Sequence, residues 1–142
     1  MAGVILMEFV GFMIILLGLL MVLLGISAYF EEQHALEDGV FTAVNYAALM
    51  SSPFSNVGVI QQVAMYGSLS PNVPLLTEAW KLPGAILQVN QQAGAVSQLK
   101  MVQVMGILPL QFCGMTVPMN WLMLHATYTR PYLGGAYAAS VQ

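Results

Sequence analysis

Soft metal ligands cluster in the last third of the chain: Cys113, Met115, Met119, Met123 and His125. Thiolate, thioether and imidazole are the ligand types that copper sites use. A compact copper site of the electron-transfer kind needs a second histidine, and the other histidine, His34, lies far upstream. Because the chain has 11 Met, a methionine close to a cysteine is expected by chance. We therefore interpret the cluster as a buried thiol in a Met-rich core.

A nucleophile paired with a base is the second kind of site to consider. Cys113 and His125 are the candidate pair, because an imidazole can activate a thiol for covalent catalysis. No motif flanks the cysteine, and the acids that could orient the histidine lie in the first third of the chain or at Glu78. The glycines in "YLGGAY" lack the lysine and the spacing of a phosphate-binding loop. We assign no catalytic, cofactor-binding or metal-binding residue, and we expect a protein that is not an enzyme.

One carboxylate lies in unusual surroundings near the start of the chain. The stretch "GVILMEFVGFMIILLGLLMVLLG", residues 3–25, contains a single charged residue, Glu8. A carboxylate in lipid or in a helix bundle must find a partner, become neutral or reach the interface. No Lys or Arg precedes Lys81, so the amine of Met1 on a neighbouring chain is the cation at hand. We interpret Glu8 as an assembly residue that sets the axial register between neighbouring helices.

Composition narrows the class of protein. Of the 142 residues, 58% are hydrophobic and only 6% are charged, whereas soluble domains carry roughly 25% charged residues. So few charged residues cannot cover the surface of a protein in water. Lipid or other protein must therefore cover much of the surface of this chain. The three basic residues form no patch, which argues against nucleic acid as a partner. One cysteine allows no disulfide within the chain.

The first third of the chain predicts one long helix. Residues 9–30 contain no charged residue, and about 20 helical residues cross a hydrocarbon core of roughly 30 Å. A signal peptide would have a basic start and a shorter apolar core, so we predict an uncleaved anchor. Apolar residues continue at helical spacing after the acids at 31–38, and Pro53 ends the pattern. The predicted helix runs from Val4 to Ser52, with a possible interruption at Gly39, and residues 1–52 form the anchor and assembly segment.

Residues 53–142 predict a small head whose sequence differs from that of the helix in its frequent Pro and Gly. Pro and Gly divide it into pieces of strand length, and "AILQVN" alternates apolar and polar residues. "SQLKMVQVMG" and "LTEAWKL" fit either a strand or a short helix. "MGILPLQFCGMTVPMNWLMLHA" is apolar but holds two prolines, so we interpret it as core or interface and not as a second membrane crossing. The fold class predicted is α+β, with a long hydrophobic helix and a charge-poor head that is β-rich or mixed.

The start of the chain resembles a known family. A glycine, four apolar residues, a glutamate and a long apolar helix, here "GVILMEF" from Gly3 to Glu8 and beyond, are similar to the N-terminus of type IV pilins and their archaeal relatives. The resemblance covers about the first 25 residues. It implies cleavage after Gly3, a filament with the helices bundled at its centre, and a Glu8 that pairs with the N-terminal amine of a neighbouring chain.

These observations favour a non-enzymatic structural subunit of a membrane-anchored surface assembly, with a pilus-like filament of identical copies as the preferred object. Two alternatives remain open: a minor structural protein of a membrane-containing virion, and an accessory subunit of a membrane enzyme complex. The expected partners are membrane lipid, copies of the chain and other subunits, without nucleic acid or a small-molecule substrate. We expect a single-pass membrane protein with its head outside the cytoplasm, at a cell surface or in a virion. Counting positive charges cannot orient it, because no Lys or Arg flanks the apolar run.

Overall fold

A computed structural model describes residues 2–70, 72–93, 100–112, 115–116 and 123–133. Its elements, in chain order, are helix α1 (Ala2–Leu49), helix α2 (Val57–Tyr66), and strands β1 (Ile86–Ala93), β2 (Lys100–Pro109), β3 (Gln111–Phe112), β4 (Met115–Thr116) and β5 (Met123–Pro131). Short 3-10 helices cover Pro53–Ser55 and Glu78–Lys81. The chain is an α+β protein in which one long apolar N-terminal helix precedes a small antiparallel sheet.

Helix α1 matches the predicted N-terminal helix. Its 48 residues are rich in Leu, Ile and Met, contain no proline, and extend about 72 Å at 1.5 Å per residue. The helix ends at Leu49, and Pro53 opens the 3-10 helix that follows. The possible interruption at Gly39 does not occur, because the helix continues through this residue.

The main sheet has three antiparallel strands in the order β1-β2-β5. The predicted alternation of "AILQVN" is confirmed, since Leu87 is buried whereas Gln88 and Asn90 are exposed. Of the two ambiguous segments, "SQLKMVQVMG" contributes to β2, and "LTEAWKL" contains the 3-10 helix. The predicted apolar segment near residues 105–126 supplies the end of β2, the β3–β4 hairpin and the start of β5 in the described part of the chain.

Residues 31–49 of α1 pack against the inner face of this sheet. Their buried residues share one core with the sheet, α2 and Trp80; those on α1 are Leu36, Val40, Ala43, Val44 and Ala47. The sequence-based division into residues 1–52 and 53–142 stays a prediction, and the core lies across it.

Two glycines set how closely these elements approach. A Cβ on Gly106 would lie 2.6 Å from Val40 Cγ2 and 2.8 Å from Leu36 Cδ1, so a larger residue there would force these side chains to shift. A Cβ on Gly39 would overlap the carbonyl oxygen of Ala64, so α2 meets α1 closely at this residue. Helix α2 thus approaches α1 at backbone distance, whereas β2 lies directly against side chains of α1.

Hydrogen bonds fix the direction of the sheet along α1. Gln33 Nε2 donates to the carbonyl oxygen of His125 at 3.3 Å, and the backbone N–H of Leu133 donates to the carbonyl oxygen of Ala48 at 3.0 Å. Strand β5 therefore runs beside α1 in the same direction. We call the end of the sheet beside Gln33 the near end, and the end beside Ala48 the far end. Because neighbouring strands are antiparallel, Ile86 and Pro109 also lie at the near end.

Candidate membrane-spanning and assembly surface

The first half of α1 is apolar on every side and exposed on every side. We call residues 6–30 the apolar segment and residues 31–49 the packed segment. From Leu6 to Leu24 every large apolar side chain has 46–80% of its surface exposed. Soluble monomers do not display continuous apolar surfaces of this size. A continuous apolar surface of this size is typical of a segment that lipid or other protein covers.

By length and composition, this one helix of the described chain can cross a membrane. Residues 6–25 alone extend about 30 Å, which is the thickness of a typical hydrocarbon core. A signal sequence passes the same test of length and composition. A core helix of a soluble protein also passes it, but none of the most apolar stretch of α1 is buried. The chain therefore has a single candidate membrane span in its described part.

The two residues that the sequence singled out lie at the start of this helix. Gly3 is within the first turns of α1, and Met1 lies outside the described residues. Glu8 is exposed on the surface of the helix, and no described residue forms a hydrogen bond or ion pair with it. Its carboxylate thus has no partner within the described part of its own chain.

Glycines follow a regular spacing along the apolar segment, in addition to the motif at Gly3 and Glu8. Gly11, Gly18 and Gly25 recur every seven residues, so they form one nearly straight stripe that drifts by only about 20° per repeat. A Cβ on Gly11 or Gly18 would meet no atom within 4 Å. Glu8 lies three residues before Gly11, beside the same stripe. Small residues allow a second helix to approach closely in lipid, so spacing alone could have found this surface.

The soft ligands are only partly within the described chain. Cys113 and Met119 lie outside the described residues, and only the backbone of Met115 in β4 is described. Met123 and His125 lie two residues apart on the outer face of β5, where His125 is exposed. Among the described residues, no three His, Cys, Asp or Glu side chains are close enough to hold a metal ion. The interpretation of this cluster as core stays a prediction.

Polar side chains begin where the apolar segment ends. Gln33 Nε2 donates to Glu37 Oε1 at 2.7 Å, and His34 Nδ1 lies 4.0 Å from Glu37 Oε2. Both contacts follow the helical spacing of three or four residues, and His34 is largely exposed. Polar groups at this position are typical of the hydrated headgroup layer next to a membrane-spanning helix.

Basic and aromatic groups mark the far end of the head. The guanidinium carbon of Arg130 lies 5.4 Å from the centre of the Phe41 ring, and Tyr128 packs edge-on against the same ring at 5.5 Å. A polar cleft of about 210 Å³ opens nearby. Its lining consists of Ser51, Ser52, Pro53, Phe54, Ser55, Gln91, Lys100 and Tyr132. The far end is therefore polar and carries positive charge.

Comparison of the chain with protein-family models, with curated proteins and with solved structures gives no significant match.

Proposed function

We propose that this chain is a non-enzymatic structural subunit, anchored in a membrane by α1, that assembles with copies of itself into a pilus-like filament. The observation that carries this proposal is the apolar segment, whose large side chains are exposed on all faces. Lipid covers such a segment when the chain is single, and helices of other copies cover it in an assembly. Both states suit the same sequence, because neither requires a polar face.

The surface of the apolar segment supports self-association in particular. The glycine stripe permits close helix contact, and Glu8 adds one group that needs a partner in an apolar environment. An N-terminal amine from a neighbouring chain would supply that partner and fix the axial offset between copies. Cleavage after Gly3 would create this amine at a fixed distance from Glu8.

The distribution of charge along the chain supports an anchored topology. The apolar segment holds no charged residue after Glu8, and all remaining charges follow from Glu31 onwards. The head then leaves the membrane as one unit with the packed segment of α1. Our proposal places the head outside the cytoplasm.

Electron microscopy of the assembly isolated from its native membrane tests the proposal. We expect thin filaments in which the apolar segments form the central bundle. Particles with a membrane-lined shell would contradict the filament and favour a structural protein of a virion. A discrete complex with other chains would favour an accessory subunit of a membrane enzyme. Mass spectrometry of the N-terminus adds an independent measurement, since an unprocessed terminus argues against the pilin-like maturation.

A further inference from the structure

The packed segment has an exposed outer face. Four exposed residues lie at intervals of three or four residues on one side of α1: Glu31, His34, Asp38 and Phe41. The buried residues of the packed segment lie on the opposite side, where they share a core with the sheet and α2. The outer face is therefore a surface on which another molecule can pack.

This face carries an acid and lies beside a base. Asp38 is exposed on it, and the guanidinium carbon of Arg130 lies 5.4 Å from the centre of the Phe41 ring at its edge. In the described part of the chain, Lys81 forms an ion pair with Glu78, whereas neither Asp38 nor Arg130 forms one. Both charges thus lack an opposite charge among the described residues of their own chain.

Arg130 lies further from the apolar segment than Asp38 does. The two hydrogen bonds that fix the level of β5 beside α1 span residues 33–48 of the helix and residues 125–133 of the other segment. By proportion, the backbone of Arg130 is level with about residue 42 of α1, which agrees with its contact to Phe41. The two charges therefore differ in level by about four helical residues, or roughly 6 Å.

The contact proposed for Glu8 requires the same shift between copies. Cleavage after Gly3 would place the new amine on Val4, four residues before Glu8, which corresponds to about 6 Å along the helix. A copy whose amine meets the Glu8 of its neighbour is therefore shifted outwards along α1 by this distance. The same shift brings the Asp38 of that copy level with the Arg130 of its neighbour.

We propose that Asp38 of one copy forms an ion pair with Arg130 of the next copy, across an interface formed by the outer face of the packed segment. This inference rests on the proposed self-assembly through α1. The partner is a second copy, because the two charges are complementary and because one axial shift satisfies both this pair and the pair at Glu8. Since the two surfaces differ and the copies are shifted along the axis, the contact repeats without closing, as a filament requires.

Charge reversal in the full-length chain tests this pair. Asp38→Arg alone and Arg130→Asp alone place like charges at every contact, so each should lower the sedimenting, assembled fraction at least about tenfold. Glu31→Arg and Lys100→Asp make the same changes in net charge away from the pair, so they should assemble like the parent. Thermal unfolding in detergent measures whether each variant folds. Asp38→Asn and Arg130→Gln replace a reversal that unfolds, and they should also lower the assembled fraction.

Co-expression of the two reversed chains distinguishes a pair between copies from a pair within one copy. Each reversed chain carries two like charges, at residues 38 and 130, so only a contact between unlike copies can restore the ion pair. We expect the mixture to assemble, and the double variant that carries both reversals should assemble as well.

The other outcomes overturn the inference in distinguishable ways. If the double variant assembles and the mixture does not, the pair lies within one chain. If neither assembles although both reversed chains fold, the two residues do not form a pair. If both single reversals, or both neutral variants, assemble like the parent, the ion pair is refuted and the proposed filament stands. If the parent chain itself does not sediment as an assembly, the proposed function fails and this inference fails with it.

Discussion

The two halves of α1 have the same backbone and opposite surroundings. In the packed segment, buried residues recur at helical spacing, from Leu36 through Val40 and Val44 to Ala47. In the apolar segment, hydrophobic residues occupy every face, and every large apolar side chain from Leu6 to Leu24 is exposed. A periodic apolar pattern needs one partner surface, which the sheet and α2 supply. An apolar pattern without period needs a medium that surrounds the helix.

This contrast shows that hydrophobicity alone does not say what a helix segment contacts. Both segments are rich in apolar residues, yet within the described chain only the packed one supplies residues to the buried core. The same substitution placed in each segment should therefore give different results. Matched substitutions, one in each segment, measure this difference as a loss of folding free energy.

Truncating one leucine in each segment should give the largest difference. Leu36 on α1 is fully buried and faces Gly106 of β2. Leu36→Ala should therefore lower the free energy of unfolding by about 2–5 kcal/mol. Leu16→Ala, at a side chain that is 48% exposed, should change it by less than about 0.5 kcal/mol. Guanidinium denaturation in detergent, followed by tryptophan fluorescence, measures both. Equal losses would mean that the apolar segment also packs inside the folded unit.

Much of this contrast could be predicted from sequence, and the rest depends on tertiary contacts. The length of α1 follows from a run of good helix formers that contains no proline before Pro53. Strand β1 follows from the alternation around Leu87. The sequence of β2 also fits helical spacing. Its pairing with β1 and β5 is what makes it a strand. Helix α2 was not anticipated, because its ten residues lie in a region divided by Pro and Gly.

The candidate site was predictable to a smaller extent. Glu8 is conspicuous because it is the one charge in an apolar run, and the seven-residue glycine spacing is visible once it is sought. The roles of Gly39 and Gly106 are not visible in sequence, since each depends on an element far away in the chain.

Adding one methyl group at a glycine of each segment should give the next largest difference. The Cβ of Gly39→Ala would meet the backbone oxygen of Ala64, which cannot move without shifting α2, so we expect a loss of about 1–3 kcal/mol. The Cβ of Gly18→Ala would meet no described atom within 4 Å, so the fold should be kept, with a gain of up to about 1 kcal/mol in helix propensity. Thermal unfolding in detergent compares them. A Gly39→Ala protein as stable as the parent would show that α2 does not hold its close contact with α1.

A smaller effect is expected where the packed segment meets the far end of the sheet. Arg130→Gln removes the cation above the Phe41 ring, and an exposed pair of this kind contributes about 0.5–1 kcal/mol. Lys100→Gln removes the other cation of the sheet, which has no such ring contact among the described residues, and should cost less than about 0.5 kcal/mol. Denaturation midpoints of the two variants, measured side by side, give the difference. If Lys100→Gln lowers the free energy of unfolding as much as Arg130→Gln does, the contact between Arg130 and the Phe41 ring does not stabilise the fold.

The smallest effect on the fold, and the largest on assembly, is expected at Glu8. Because Glu8 is exposed and no described residue forms a hydrogen bond or an ion pair with it, Glu8→Gln and Glu8→Leu should leave the unfolding of the head unchanged. Membrane insertion should be kept or improved in both variants, since each removes a charge from lipid. Assembly should fall, and more for Leu than for Gln, because Gln can still form hydrogen bonds with a neighbouring chain. Sedimentation of detergent-extracted assemblies measures this order. If Glu8→Leu assembles as well as the parent, the carboxylate merely reaches the interface, and the contact between copies must depend on the apolar surface and its glycine stripe alone.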